Sequence, residues 1–188
     1  MHDDSVDEIG EWRDVSISMD RAVFQGALLF PIILLTGLAP LVALWGWATV
    51  AGGFRTVFTP WYFFPGLVAT VIVHEGLHAI GFIAFGRVGA AGLHFGVDRS
   101  TLSPYAGCRT PMRARAYRGA VLLPAVVLGV VPLVWGWVLG VGWLGVLGTL
   151  QLCAAAGDLV AYWAFRAVPG GRLVLDHPER VGCRVLDG

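Results

Sequence analysis

The chain has 188 residues, 56% of them hydrophobic and 14% charged, with a formal net charge of zero and a mean hydropathy of +0.71. That composition excludes an ordinary soluble domain and describes an integral membrane protein, and no basic stripe points to nucleic acid. The charges are segregated: seven of the 13 acidic residues fall within residues 1–20, and every basic residue is an arginine.

Residues 1–21 form a polar, acidic segment. Its DVSISM run alternates weakly and suits a short strand. The apolar run that follows starts late and is too long for a cleavable signal peptide. Residues 22–166 are expected to form one transmembrane unit with spans at about 22–50, 66–86, 119–139 and 141–166. Pro31 and Pro40 lie in the first span, where proline kinks a helix, and Pro124 and Pro132 lie in the third. A Gly/Pro-punctuated aromatic connection, residues 51–65, joins the first two spans. The polar stretch 87–118 contains LHFGVDRSTLSPY, which reads as a β-hairpin turning near Asp98–Ser100. PMRARAYR then leads into a helix, with Pro111 at its start. A tight turn near Gly140–Gly142 separates the third and fourth spans. Residues 167–188 read as a short polar tail.

The fold class expected is therefore an all-α integral membrane protein, with four transmembrane helices and a small cytoplasmic β-hairpin after the second. Four spans put both termini on one side. Twelve arginines then fall on that side and one, Arg55, on the other. The positive-inside rule places the termini and the hairpin in the cytoplasm of a multi-pass cell-membrane protein. Trp45, Trp47, Trp61, Trp135, Trp137 and Trp143 fall at the opposite end, where an aromatic belt belongs.

Ionisable groups inside a membrane cost at least ~2.5–3.5 kcal/mol each on insertion scales, so they mark function. The four spans contain two acids, Glu75 and Asp158, and two histidines, His74 and His78. His74-Glu75-Gly76-Leu77-His78 is an H-E-x-x-H motif. On a helix, residues i and i+4 share a face, so the two imidazoles can hold one Zn²⁺ while Glu75 acts as general base. A catalytic zinc wants a third protein ligand, and Asp158 is the candidate. Counted from the inner span ends, the motif and Asp158 lie at matching depths of roughly 15 and 12 Å. Ala154, Ala155, Ala156 and Gly157 allow close helix approach there.

These residues resemble an intramembrane zinc metalloprotease of the site-2 type. More closely, the chain resembles a bacterial and archaeal membrane family described as "putative zincin peptidases", of unknown function. HEGLHAIGF at 74–82, LSPYAGC at 102–108, Gly157-Asp158 and DHPERVGC at 176–183 carry that resemblance. It implies His74, His78 and Asp158 as ligands, Glu75 as catalytic base, Zn²⁺ as cofactor, and peptide or membrane-protein substrates met in the bilayer. Leu186-Asp187-Gly188 imitates the aspartate context of site-2 proteases, but in a polar tail, and is read as coincidence.

The expected function is intramembrane zinc metallopeptidase. A metal or proton transporter and a non-catalytic zinc scaffold use the same residues, although the outer halves of the spans offer almost no polar path. His94 is expected to be a surface or satisfied residue, and Asp176-His177-Pro178-Glu179 a turn with a helix start. Cys108, Cys153 and Cys183 have neither metal spacing nor an even count, and are expected as reduced thiols. A strand edge on the hairpin suits either an extended peptide or a cap over the site.

Overall fold

The computed structural model describes residues 11–97, 104–178 and 180–187. It is mostly helical, with one four-stranded sheet and a separate hairpin. Strand β1 (Glu11–Ile17) leads into helix α1 (Met19–Trp45). Ser18 caps that helix by accepting the Arg21 N–H, and Asp20 in the first turn complements the helix dipole. The run 22–50 is not one element. Gly46 adopts φ +80°, which ends α1 and starts helix α2 (Trp47–Val57). The connection expected over 51–65 is thus largely helical, because hydropathy carries no mark of a change in chain direction.

Thr59 precedes Pro60 at the start of α3 (Pro60–Gly86), the motif helix, which begins six residues before the expected span. Strands β2 (Leu93–Val97) and β3 (Pro104–Cys108) then pair antiparallel, with Val97 opposite Pro104. The expected hairpin is present, while its expected turn at Asp98–Ser100 lies outside the described residues. Met112–Arg113 form a short strand, β4, before α4 (Ala114–Pro124) begins. Past Pro124 the helix widens to π geometry over Ala125–Val130 and continues as α5 (Val131–Leu139). Gly140 turns the chain into α6 (Gly142–Ala154), and a 50° bend at Ala155 separates it from α7 (Ala156–Phe165).

Met19–Trp45, Pro60–Gly86 and Ala114–Leu139 are each long and apolar enough to cross a membrane. The bent pair α6–α7 passes the same test as one broken span, so the chain has three such helices, or four with the broken pair.

The last segment is folded rather than a loose tail. β5 (Leu173–Asp176) and β6 (Val181–Asp187) join the sheet in the order β1-β6-β5-β4. The DHPE stretch leaves β5 as the connection to β6, and no helix starts at its described residues. Its polar composition hid alternating apolar positions: Val174, Cys183 and Val185 are buried. Glu11 pairs with Asp187, so the two ends of the described chain lie side by side. Phe82, Val88, Cys108, Met112, Tyr117 and Phe165 pack with those sheet residues into one core. That core fixes the sheet and the hairpin against α3, α4 and α7. A smaller core around Leu41, Val50 and Val146 holds the opposite end. There Trp45, Trp47, Trp61, Trp135 and Trp143 are exposed.

Candidate metal centre

His74 and His78 sit one turn apart on α3, their rings 5.0 Å apart centre to centre and steeply inclined. Asp158 reaches them from the first turn of α7. His74 Nε2 lies 3.0 Å from Asp158 Oδ2, and His78 Nε2 lies 3.3 Å from Oδ1. One ligand atom from each of the three lies within 4.8 Å of the others. The bend at Ala155 is what turns Asp158 out of the line of α6.

The tautomer of His78 follows from its other nitrogen. Nδ1 lies 3.1 Å from the Ala120 carbonyl oxygen, which only accepts, so Nδ1 carries the proton. Two sequence features place that oxygen there. A Cβ on Gly81 would come within 2.6 Å of Ala120 Cα, so only glycine allows α3 and α4 this close. In an α-helix the Ala120 carbonyl is served by the N–H four residues on, and that residue is Pro124, which has none. The carbonyl freed by proline is the one that His78 uses.

In the neutral form, that tautomer directs the Nε2 lone pair of His78 at a carboxylate oxygen. Asp158 Oδ2 is buried with no aligned hydrogen-bond donor among the described residues, despite His74 at 3.0 Å. Lone pairs and carboxylate oxygens converging in a partly buried space repel unless a cation lies among them. One proton can serve one imidazole–carboxylate contact, whereas a divalent ion serves all three groups together. Two imidazoles and a carboxylate are the donor set of a zinc site with an open position, so these residues fit the ion that the motif implies.

Glu75 is not part of that three-atom cluster. Its carboxylate accepts a hydrogen bond from the Ala106 N–H of β3. The motif, Asp158, the first turns of α1, strand β3 and the β5–β6 connection together line an open cavity of about 670 Å³.

Several features of this region were not legible in the sequence. His94 is half-buried at the cavity wall with its ring against Tyr105, and its Nδ1 is buried without a partner among the described residues. Burial, aided by Arg109, holds its pKa below the usual histidine value. Asp176 and Tyr117 also face the cavity, joined by a 2.6 Å hydrogen bond. Asp187 lies away from the site at the end of β6, in an exposed ion pair with Arg13 of β1 at 2.8 Å. All three cysteines are free and buried. Burial raises the Cys108 thiol and pushes Cys183 up to about 12, so both stay protonated. The proline–carbonyl relation could have been found by checking the residue four before each span proline.

A helix-borne H-E-x-x-H with an acidic group supplied by a second helix defines a site of the zincin kind. The chain belongs to the family described as "Putative zincin peptidase", which it matches over residues 67–173. That range contains the motif, the hairpin, Asp158 and the first residue of β5. A curated relative from Pyrococcus woesei, described as "Uncharacterized 24.7 kDa protein in gap 5'region", is 26% identical over 112 residues. The match covers 58% of this chain and 49% of the relative, so the chain spans about half of that protein's length. No solved structure matches.

Proposed function

We propose that this protein is an intramembrane zinc metallopeptidase that hydrolyses peptide bonds of membrane-embedded or membrane-proximal substrates. The observation that carries the reading is the convergence of His74 Nε2 and His78 Nε2 on the Asp158 carboxylate, with Glu75 adjacent but left out of the cluster. His74, His78 and Asp158 would hold the ion. When bound, Zn²⁺ supplies Lewis acidity, lowering the pKa of water toward ~7 and polarising a carbonyl.

The remaining steps belong to the chain's own residues. Glu75 accepts the proton of the attacking water and returns it to the leaving amine. The Ala106 N–H steadies the carboxylate between the two transfers. His78 keeps its Nε2 lone pair directed into the site because Ala120 holds the Nδ1 proton. A helical backbone shields its carbonyls, so a helical substrate unwinds before cleavage. The cavity is lined in part by the β5–β6 connection of the sheet, and because twelve of the 13 arginines lie in the segments on that side of the spans in sequence, we place that end in the cytoplasm with both termini. The lipid bilayer and a peptide or membrane-protein substrate are the partners this reading implies.

The experiment is metal analysis of the purified protein, with wild type and Glu75→Gln assayed in parallel on membrane-peptide substrates. Stoichiometric zinc in both, with hydrolysis in wild type alone, is the expected result. Zinc in both and hydrolysis in neither makes the site a scaffold. Zinc flux through proteoliposomes without hydrolysis makes it a transporter.

A further inference from the structure

Between the candidate metal centre and the C-terminal sheet stands a second carboxylate, Asp176, at the end of β5. Its two oxygens serve two different elements. Oδ1 accepts from the Tyr117 hydroxyl of α4 at 2.6 Å, and Oδ2 accepts from the Cys108 N–H of β3 at 3.2 Å. The Tyr117 oxygen also lies 3.2 Å from the Gly182 carbonyl of β6. Gly107 makes the approach to β3 feasible: a Cβ there would lie 2.8 Å from Asp176 Oδ2 and would collide with the His94 ring.

Two residues earlier on β3, the Ala106 N–H meets the Glu75 carboxylate. N–H groups of residues i and i+2 point to the same side of a strand, so Ala106 and Cys108 present one edge to two carboxylates. The two grips differ in stiffness. Glu75 is a long side chain with one bond to the strand. Asp176 is shorter and is anchored through Tyr117, whose ring packs on Phe82 of the motif helix at 6.1 Å and on Phe165 of α7 at 5.0 Å.

We propose that Asp176 is a positioning residue that sets the height of β3 over Glu75, tying the strand edge through Tyr117 to the helices that carry the metal-binding groups. The structural half of the inference rests on these hydrogen bonds alone, and its consequence for substrate rests on the peptidase reading. Asparagine can keep the arrangement. Its oxygen accepts from Cys108, its amide donates to the Tyr117 oxygen, and the tyrosine hydroxyl turns to the Gly182 carbonyl. Alanine can keep none of it.

The test is the rate at which N-ethylmaleimide modifies each native cysteine in the zinc-loaded protein, read by peptide mass spectrometry, alongside zinc content and kinetics. In Asp176→Ala, Cys108 should react at least about 10-fold faster, the effect of losing one hydrogen bond to a charged group. Cys153 should stay protected, zinc should remain stoichiometric, and KM should rise more than kcat falls. Asp176→Asn should restore wild-type rates. Gly107→Ala, which forces the carboxylate off the strand, should reproduce Asp176→Ala and serves if that variant does not accumulate. Unchanged Cys108 protection in both variants overturns the proposal, as does joint exposure of Cys108 and Cys153 with loss of zinc. An asparagine variant that behaves like alanine also overturns it. If wild type cleaves no peptide while the labelling pattern holds, the peptidase reading fails and the positioning role stands.

Discussion

His78 donates its Nδ1 proton to the backbone carbonyl of Ala120, a group that Pro124 deprives of its usual helical partner. The same proline that interrupts α4 thereby sets the tautomer of a candidate metal ligand. Pro124→Ala restores an N–H four residues beyond Ala120 and makes it compete with His78. Zinc affinity, measured by competition with a chelator, should fall by roughly 10- to 100-fold, as for other partners of metal-bound histidines. Affinity equal to wild type would show that the carbonyl contact does not orient the ring.

At Glu75, ligation and catalysis should separate. Glu75→Gln keeps the His74, His78 and Asp158 donors and removes the base. Zinc should remain stoichiometric while hydrolysis drops by at least about 10²-fold, the usual effect of losing a general base. A variant that emerges without metal would make Glu75 a ligand and end the mechanism proposed.

Two aspartates offer themselves as third ligand, and the geometry separates them. Asp158→Ala should abolish stoichiometric zinc and activity while the protein still inserts in the membrane. Removing residues 186–188 costs the exposed Arg13–Asp187 pair and the end of β6, and should leave zinc in place. Chelation of wild type should match Asp158→Ala in activity and be reversed by added Zn²⁺. Zinc that survives loss of Asp158 but not the truncation would bring the end of β6 into the site.

The two ends of the bundle should lie on opposite sides of the membrane. Native Cys108 and Cys183 are buried and do not suit topology labelling, so introduced thiols are needed. Gly171→Cys lies in an exposed turn at the sheet end, and Thr56→Cys lies exposed on α2 at the tryptophan-rich end. An impermeant maleimide applied to intact cells should label the second and spare the first. The reverse pattern would invert the orientation drawn from arginine asymmetry.

Asp176 should also leave a mark on stability against pH. Burial raises its pKa to about 6, with the Tyr117, Cys108 and His177 hydrogen bonds and His78 acting in the opposite direction. The Cys108 and Cys183 thiols that also face it stay neutral. A carboxyl raised in the folded state favours folding fully below its unfolded pKa of ~3.9, and that contribution is lost as pH rises through about 6. The melting temperature of wild type relative to Asp176→Asn should therefore fall between pH 4 and pH 6 and level off above. A flat difference across that window would mean that Asp176 is solvated.

Helices long and apolar enough to cross a membrane, the helix that carries H-E-x-x-H, the hairpin and the candidacy of Asp158 beside His74 and His78 were legible in the sequence. They are properties of composition and local spacing: lipid demands long apolar runs, and a helix places i and i+4 on one face whatever surrounds it. Even Asp158 was reachable by counting depth along two spans. The tertiary structure decided what depends on contacts between distant segments. A proline at 124 reads as a kink until its missing N–H is seen to free Ala120 for a histidine 42 residues earlier. A polar tail reads as solvated until β6 finds β1 at the other end of the chain. Asp176 reads as part of a turn until β3 brings Cys108 to it across 68 residues. Hydrogen bonds between remote segments carry no local periodicity, so only the folded chain reveals which buried donor meets which acceptor.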